Sequence, residues 1–504
     1  MLAANRTSAE TIQPGWLAAQ SVRRLAGHMP DCATRATLAL LVLLGGCAGT
    51  RSFAPQGPVT AIVGVTVVHP EREAGEALEF DRTILIERDR IRAVGPARST
   101  AIPPNTKIID GQGRWVIPGL IDSHVHFFQS GNLYTRPDVA DFNGWMPYAR
   151  EVARNRARLE TTFKVWLASG VTGVVDIGGP FWNFEVRALA SKSAAAPEVA
   201  VAGPLVSFVA RPALDLGDPP IIRVTTQEEA RALVARELAY KPDYIKVWFI
   251  FREGDDLPAQ EAIVKATADA AHRAGVRMAV HATELATAKA ALRAGADFLV
   301  HSVDDQPVDD EFLALARKNR ALYCPTLFVY QGYGYALSNT WRPTAEELRL
   351  ADPQILGMMN DLDRIPHELV PERVKARLQK STPVETPPVA MQNLRRVMDA
   401  GITVVLGTDA GNIGTLHGPS VFREARLMQA AGLSPLEVLR SATFDGARAL
   451  GKEHDVGIIA PGKLADLVIL GADPLVDSSN LATVRQVIRR GRVFDPDELI
   501  QSAN

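Results

Sequence analysis

The stretch from Val116 to His126 reads Val-Ile-Pro-Gly-Leu-Ile-Asp-Ser-His-Val-His, an apolar run that ends on two histidines. Side chains alternate along a β-strand, so His124 and His126 face the same side of such a strand. Two imidazoles on one side can bind a metal ion, although a hydrogen-bonded pair without metal is the commoner state of the motif. The stretch therefore predicts a strand with a candidate metal-binding end.

Further apolar runs follow this strand, separated by stretches in which apolar residues recur at helical spacing. Strands that alternate with helices indicate parallel βαβ units, and eight such units close a barrel. We therefore predict an α/β fold with a (β/α)8 TIM barrel. The predicted strands lie near residues 116–126, 171–177, 198–202, 244–249, 277–281, 298–301, 321–327 and 403–409.

The interval between the last two predicted strands, residues 327–400, is far longer than a connection requires. Its Trp, Tyr and Pro residues predict an ordered insertion over the mouth of the barrel. Because the catalytic face of such a barrel lies at the carboxyl ends of its strands, we expect this insertion to shape the substrate pocket.

Short runs of alternating apolar and polar residues lie on both sides of the barrel. They predict a small β-sandwich domain that is built from both flanking segments. The runs are 61–68, 82–88, 90–95, 457–470 and 484–493. The predicted boundaries are 48–116 and 453–504 for the two parts of the β-sandwich and 117–452 for the barrel.

The leader carries an apolar run after Arg35 that ends in Leu44-Gly-Gly-Cys47. This run is too short to span a bilayer and is typical of a secretory signal. Its ending resembles a bacterial lipobox, in which Cys47 becomes the lipidated first residue of the mature chain. We predict residues 1–47 as a signal peptide with a lipobox, and an exported lipoprotein held by its lipid anchor only, on the periplasmic side or the cell surface. A plain secretory signal is the alternative, and a start at Met29 would give a signal of the usual length.

The charge and cysteine content exclude several classes of protein. The formal net charge is −2, from 55 basic and 57 acidic residues, so no overall field attracts nucleic acid. Three cysteines are too few and too scattered for a disulfide framework or a zinc ribbon. We therefore expect a small-molecule substrate and no nucleic acid as partner, with homo-oligomer formation left open.

Polar residues that end apolar strands are the candidates for a site, because active sites of such barrels lie at the strands' carboxyl ends. His281 and His301 end two neighbouring strands, and Asp409 ends the last one. A single buried histidine is usually a hydrogen-bonded core residue. Two on neighbouring strands, beside a carboxylate that would be costly to bury without a partner, indicate a cation.

Lys246 lies among apolar residues on the fourth predicted strand, where desolvation disfavours an ammonium group. The alternatives are a lysine that reaches solvent at the barrel rim and one paired with an acid. Reaction of the neutral amine with carbon dioxide would give a carbamate, an anion able to bridge two cations.

Several separate motifs together resemble the amidohydrolase superfamily, in the branch of imidazolonepropionase-like and prolidase-like metal-dependent hydrolases. The resemblance covers about residues 59–493, and the motifs that carry it are Ile117 to His126, Ile245-Lys246, His281, His301, Gly407-Thr-Asp409 and Ala460 to Ile469. It implies two divalent metal ions. By this resemblance His124, His126 and Asp409 bind the more buried ion, His281 and His301 bind the more exposed one, and carbamylated Lys246 bridges both.

The resemblance implies hydrolysis of a carbon–nitrogen bond in an amide, a dipeptide, an N-acyl amino acid or a cyclic amide. A metal-bridged hydroxide would attack, and Asp409 would accept its proton and return it to the leaving nitrogen. Nitrogen and oxygen ligands suit zinc, with manganese, iron and cobalt left open. His417, which follows the last strand, is a candidate substrate-binding residue, and loop capping is its alternative role.

Three other functions compete with this prediction. The spacing His281-Ala-Thr-Glu284 is similar to that of mononuclear deaminases, in which Glu284 would be the proton shuttle, although Lys246 argues against that reaction. An esterase or lactonase could use the same metals. A surface lipoprotein could also keep the barrel as a binding scaffold without catalysis, since fold does not fix function.

Overall fold

The computed structural model describes residues 57–380 and 385–503. The predicted signal peptide and its Cys47 lie outside the described residues, so both stay predictions. Among the described residues, no helix has the length and apolar character needed to cross a membrane.

The described chain is α/β, with parallel strands and helices in alternation over its central part. Its strands are β1 (Val59–Val68), β2 (Leu78–Glu87), β3 (Arg90–Pro96), β4 (Lys107–Asp110), β5 (Trp115–Pro118), β6 (Leu120–Val125), β7 (Val171–Asp176), β8 (Glu198–Val201), β9 (Leu205–Ser207), β10 (Ile221–Arg223), β11 (Tyr244–Trp248), β12 (Arg277–His281), β13 (Phe298–Val300), β14 (Leu322–Cys324), β15 (Leu467–Leu470), β16 (Val484–Arg489) and β17 (Arg492–Phe494).

The helices lie mainly between the parallel strands and in the long interval after β14. They are α1 (Tyr148–Ala157), α2 (Leu159–Ala168), α3 (Asn183–Ala190), α4 (Gln227–Leu238), α5 (Leu257–Arg273), α6 (Leu285–Ala294), α7 (Asp310–Asn319), α8 (Phe328–Leu337), α9 (Ala345–Leu350), α10 (Pro353–Met358), α11 (Glu372–Leu378), α12 (Pro388–Asp399), α13 (Ser420–Ala430), α14 (Pro435–Ser441), α15 (Phe444–Leu450) and α16 (Pro496–Gln501).

Two parallel sheets form the central part, β6-β7-β8 and β10-β9-β11-β12-β13-β14. A parallel bridge from Ala202 to Tyr244 joins them, which continues the order from β8 to β11. Seven of the predicted barrel strands correspond to β6, β7, β8, β11, β12, β13 and β14. The arrangement is consistent with a TIM-barrel-type fold. The short strands β9 and β10 lie outside the strands predicted from sequence.

The eighth predicted strand, 403–409, differs from a regular strand. Its pairing consists of isolated parallel bridges, from Tyr323 to Val404 and from Val125 to Ala410. Asp409 has a φ of 60°, which breaks extended geometry at the end of the segment. The segment nevertheless lies between β14 and β6, since Val405 N–H donates to the Tyr323 carbonyl (2.9 Å) and Asp409 N–H to the His124 carbonyl (2.7 Å).

The flanking segments share one sheet, in the order β17-β16-β15-β5-β1-β2-β3, with β4 paired to β1. The predicted run 457–470 forms a strand only over β15, Leu467–Leu470. Ile117 and Pro118, which the predicted boundary assigns to the barrel, pair with β15 in this sheet. The barrel strand β6 starts after them, beyond Gly119.

Alternation along β11 decides which side chains point into the barrel. Ile245 and Val247 pack in the large cluster of apolar residues that includes the helices. Tyr244 packs in a second cluster with Ala279 and Phe298 from the neighbouring strands. Lys246 has the same parity as Tyr244, so the strand turns its ammonium group inward.

The insertion after β14 contributes α8 to α12 and has its own buried apolar cluster. Trp341 and Leu362 from the insertion pack there with Leu133 and Phe142 from the loop after β6. The described part of the insertion therefore folds into helices that lie against the loop following the first barrel strand.

Candidate metal centre

A cavity of about 490 Å³ opens at the carboxyl ends of the parallel strands. It brings together all the predicted metal ligands, although β6, β11, β12, β13 and the 403–409 segment are far apart in sequence. These residues are His124, His126, Lys246, His281, His301 and Asp409.

His124, His301 and Asp409 form the tightest part of this group. One potential ligand atom from each lies within 4.8 Å of the others, and all three residues are buried. Both ring nitrogens of His124 and the Oδ1 atom of Asp409 are buried without a hydrogen bond of suitable geometry, although Oδ1 lies 3.3 Å from His124 Nε2 and 3.1 Å from His126 Nε2. Buried polar atoms are normally paired, so these residues fit a bound cation.

His126 and His301 are each oriented by a contact of Nδ1, the ring nitrogen that faces away from Asp409. The Nδ1 atom of His126 lies 2.7 Å from the Gly178 carbonyl oxygen, and its Nε2 lies 3.1 Å from Asp409 Oδ1. The Nδ1 atom of His301 lies 2.6 Å from Thr326 Oγ1, with Nε2 3.9 Å from Asp409 Oδ2. Each ring therefore presents Nε2 to the carboxylate, as in metal sites whose imidazoles are held by a second partner.

The electrostatics favour neutral imidazoles beside an anionic carboxylate. Burial, followed by the Lys246 charge, lowers the pKa of His124 well below its usual range. Burial also lowers the pKa of His301, with the His281 charge as the next cause. Although burial opposes ionisation of Asp409, its contact with His126 and the nearby charges keep its pKa below the usual range. This protonation state is the one that binds cations.

Lys246 is almost completely enclosed, with 1% of its surface exposed. Burial lowers its pKa to about 7, and the nearby Asp409 charge opposes that shift. A buried ammonium among imidazoles would add positive charge to a group of residues that otherwise suits cations. The structure thus places an amine of reduced basicity in the cavity among the other predicted ligands.

The backbone is unusual at two of the predicted ligands. His301 and Asp409 have φ values of 75° and 60°, in the left-handed region that non-glycine residues rarely adopt. Such conformations persist where the surrounding structure holds them. The backbone at Gly407 lies so close to β6 that a Cβ there would be 2.8 Å from the backbone nitrogen of His124. Glycine therefore allows the last segment to approach His124.

Asp122 is a buried carboxylate that the sequence placed in the first motif without a role. It accepts hydrogen bonds from the Thr408 hydroxyl (2.6 Å), the Thr408 N–H (2.9 Å) and the His124 N–H (3.3 Å). Burial raises its pKa to about 7. Asp122 therefore connects the backbones that carry His124 and Asp409.

The cavity wall contains residues that were not identified from the sequence. Arg136, from the loop after β6, donates to Asp138 through two nitrogens at 2.8 Å each and to Asn412 at 2.7 Å. Tyr330 and Tyr333 line the cavity from α8 in the insertion, which confirms that the insertion contributes to the pocket. Arg136 could have been identified from the Arg-Pro-Asp sequence in the loop after the first barrel strand, because such loops form the catalytic face of a barrel.

His417 lies outside the lining of this cavity. Its Nε2 atom is 3.2 Å from the His126 carbonyl oxygen, and its ring stacks on Phe127 at a centroid distance of 5.7 Å. Burial lowers its pKa to about 4. The structure therefore places His417 behind the first metal-binding strand, and its role in substrate binding stays a prediction.

Glu284 is also absent from the cavity lining, whereas Thr283, next to it, and Lys246 are part of that lining. It occupies the N-cap position of α6. The arrangement therefore gives no support to Glu284 as a proton shuttle beside the metal group.

Comparison with known proteins gives a consistent result over most of the chain. A model of the amidohydrolase family matches residues 115–494. The imidazolonepropionase of Streptomyces avermitilis is 28% identical over 435 residues, which are 82% of this chain and 86% of the relative. The imidazolonepropionase of Symbiobacterium thermophilum is 26% identical over 441 residues, or 81% and 89% of the two chains.

Solved structures share the fold. A Bifidobacterium longum protein proposed to be a prolidase is 26% identical with a TM-score of 0.63, and the match covers 88% of this chain and 99% of that one. A Xaa-Pro dipeptidase with methionine bound in its active site is 22% identical with a TM-score of 0.64, covering 87% and 100%. The latter similarity concerns the fold alone.

Proposed function

The chain belongs to the amidohydrolase family and is a metal-dependent hydrolase of carbon–nitrogen bonds in small molecules; we propose that its substrates are amides with a free carboxylate, such as dipeptides or N-acyl amino acids. The observation that carries this proposal is the cavity in which the predicted ligands meet and which Arg136 also lines.

We propose that the centre holds two divalent ions, with zinc as the metal that best suits imidazole and carboxylate ligands. His124, His126 and Asp409 would hold one ion, and His281 and His301 the other. The buried Nε2 of His124 and Oδ1 of Asp409, which lie 3.3 Å apart without a hydrogen bond of suitable geometry, support a cation between them. Bound ions of this kind lower the pKa of water and polarise a carbonyl group.

Asp409 is suited to move the proton during hydrolysis. Its carboxylate is ionised and buried, and it faces the cavity within 3.9 Å of ring nitrogens from three histidines. It would accept the proton of the attacking water and deliver it to the leaving nitrogen. The fixed rings of His126 and His301 hold that carboxylate in place.

Lys246 is proposed to be carbamylated. Its amine would attack carbon dioxide, forming an N–C bond and releasing one proton, and the product carries one negative charge. The enclosed position beside four histidines supports this, because an anion there offsets cations that an ammonium would repel.

His417 would act by holding the His126 carbonyl, although the predicted contact with substrate is not part of this geometry.

The wall near Arg136 supports an anionic substrate. Arg136 and Arg211 share the single carboxylate of Asp138, and the Arg211 guanidinium lies 4.8 Å from the Trp248 ring centre. The cluster of Arg136, Arg211 and Asp138 therefore carries one net positive charge behind this part of the wall, while the carboxylate of Asp304 lines the same cavity. A substrate carboxylate would bind there by charge-assisted hydrogen bonds.

The domain organisation is proposed in the form the sequence predicted. The bridges at Val404 and Ala410 support closure of an eight-stranded barrel over residues 117–452. The shared flanking sheet supports one β domain built from both flanking segments, predicted as a β-sandwich of residues 48–116 and 453–504, and its strand β5 extends that domain to Pro118. In this organisation the flanking domain holds both ends of the barrel segment.

Hydrolysis of an ester or lactone on the same centre is the second candidate, because the metal chemistry does not distinguish an acyl ester from an amide. The deaminase alternative with Glu284 as its proton shuttle is not supported, since Glu284 does not line the cavity. We also propose that the mature protein is an exported lipoprotein attached through Cys47, which rests on the lipobox-like sequence.

The function is tested with purified protein loaded with zinc. Two metals per chain and hydrolysis of members of a dipeptide or N-acyl amino acid library are expected. One metal per chain with ammonia release from aminated heterocycles would contradict the proposal and favour a deaminase. Turnover restricted to esters or lactones would favour the second candidate.

A further inference from the structure

A second cavity, of about 370 Å³, lies between the segment from α3 to β8 and the turn that joins β16 to β17. We call it the basic cavity. Its lining includes a single carboxylate, Glu198, and five basic side chains. These are Arg187, Lys192, Arg489, Arg490 and Arg492.

The carboxylates near this cavity already form ion pairs with some of its basic side chains. Glu198 contacts Arg489 at 2.9 Å and Arg490 at 2.8 Å. Arg489 also contacts Asp466 at 2.8 Å, and Arg187 contacts Asp243 at 2.6 Å. These pairs leave the cavity with more positive than negative charge.

Lys192 and Arg492 carry the remaining charge. Within residues 57–380 and 385–503, neither takes part in an ion pair with a carboxylate. The Arg492 guanidinium lies 5.2 Å from the Phe494 ring centre, which limits its freedom without neutralising it. Two exposed cations beside a concave surface fit an anion such as a phosphate group.

The position of the cavity relative to the chain indicates where that anion comes from. Gly57, the first described residue, lies against Arg88, since a Cβ on Gly57 would be 2.9 Å from Arg88 Cγ. The Arg88 carbonyl lies against Gly491, in the turn that carries Arg490 and Arg492. The chain therefore enters the folded part beside the basic cavity.

Cys47 precedes Gly57 by ten residues. A chain of that length spans at most about 35 Å when fully extended. If Cys47 carries the lipid, as proposed above, Gly57 stays within that reach of the bilayer surface, and the basic cavity lies near Gly57. Tethering raises the effective concentration of head groups, so weak binding at the cavity suffices to orient the protein.

We propose that the basic cavity binds the phosphate head group of an anionic phospholipid in the membrane that holds the lipid anchor. Basic residues near a bilayer are attracted to anionic lipids, and an acyl anchor combined with such a cluster binds more stably than either alone. The net charge of the whole chain does not oppose this, because the effect is local and acts within about a Debye length.

This docking would also orient the catalytic cavity. Glu198 is the first residue of β8, so the basic cavity lies at the amino end of that strand. The metal-binding residues lie at the carboxyl ends of the parallel strands. With the basic cavity on the bilayer, the active site would face the aqueous phase and receive water-soluble substrate.

The test uses the full-length mature protein on vesicles of phosphatidylcholine, with and without phosphatidylglycerol. Hydrogen exchange is measured over residues 187–199 and 485–494. We expect slower exchange on vesicles with phosphatidylglycerol, and loss of that protection in the double variant Lys192→Glu with Arg492→Glu. About 1 M salt should also remove it, since the Debye length is then about 3 Å.

The matched control is Arg150→Glu with Arg373→Glu, which changes the net charge equally on exposed residues of α1 and α11. It should keep the protection, and both double variants should keep hydrolase activity. Equal exchange on the two kinds of vesicle would overturn the proposal. Equal protection by inorganic phosphate on phosphatidylcholine vesicles would also overturn it, by showing a site for free phosphate.

Discussion

The hydroxyl of Thr408 donates a 2.6 Å hydrogen bond to Asp122 Oδ2, and this bond joins the first barrel strand to the last segment beside the metal centre. The predicted ligand His124 lies two residues after Asp122, and the predicted ligand Asp409 directly follows Thr408. The bond fixes the distance between the backbones that present those two side chains.

Thr408→Val is therefore expected to weaken metal binding by roughly 10- to 100-fold, as is typical when a partner behind the ligands is lost. The buried Asp122 carboxylate would lose a hydrogen bond that it accepts from the Thr408 hydroxyl. This loss should lower the free energy of unfolding by about 1–3 kcal/mol. Thr408→Ser keeps the hydroxyl and should retain both properties. Metal titration and denaturant unfolding measure the effects, and equal behaviour of the two variants would count against this role of Thr408.

Lys246→Ala should lower the metal content from two per chain and lower turnover with it, because the proposed bridging anion is removed. Acetate or formate should partly restore turnover by supplying a carboxylate in the space left. Lys265→Ala, on the exposed face of α5, is the control and should change neither quantity. Two metals per chain and near-normal kcat/KM in Lys246→Ala would show that the carbamate proposal is wrong.

Asp409→Asn should lose more activity than metal, because the amide keeps an oxygen ligand but cannot accept the proton. A decrease in kcat of roughly 10²- to 10⁴-fold is expected for loss of a general base. Metal content and kcat are measured on the same preparation. Asp304→Asn, which changes another carboxylate of the cavity, serves as the control with kcat less affected. A parallel loss of metal and activity in Asp409→Asn would indicate ligation as its main role.

Tyr330→Phe should raise KM by roughly 10- to 100-fold and leave the metal content intact. The Tyr330 hydroxyl donates a 2.6 Å hydrogen bond to Asp304 in the cavity wall, and a bond to a charged group is worth about 1.5–3 kcal/mol. Tyr335→Phe, in the same helix but outside the cavity lining, should leave KM unchanged. Loss of metal in Tyr330→Phe would instead indicate that α8 stabilises the metal centre.

Cys47→Ser should release the mature protein from the membrane fraction or leave it unprocessed, because the acyl chains attach to the thiol. Cys32→Ser changes the other leader cysteine and should leave attachment unchanged. Fractionation and incorporation of labelled fatty acid are the measurements. Unlabelled wild-type protein, with equal membrane association of the wild type and Cys47→Ser, would exclude the lipid anchor.

Much of the fold was predictable because its signals are local. Alternation along β11 places Lys246 on the inner side, and the apolar runs located seven strands to within a few residues. Strand boundaries were predicted less accurately where the chain passes from one sheet to another without a change in its apolar pattern. Ile117 and Pro118 continue the apolar run of β6, yet they pair with β15, which lies about 350 positions later in the chain.

The sequence by itself determined which residues could bind metal, since each candidate ends or lies on an apolar run, namely His124, His126, Lys246, His281, His301 and Asp409. Only the tertiary structure decided their surroundings. The sequence does not show that His301 needs a φ of 75°, that Arg136 lines the cavity, or that His417 lies behind it. These features depend on contacts between segments that are distant along the chain, whereas strand parity and apolar spacing depend only on neighbouring residues.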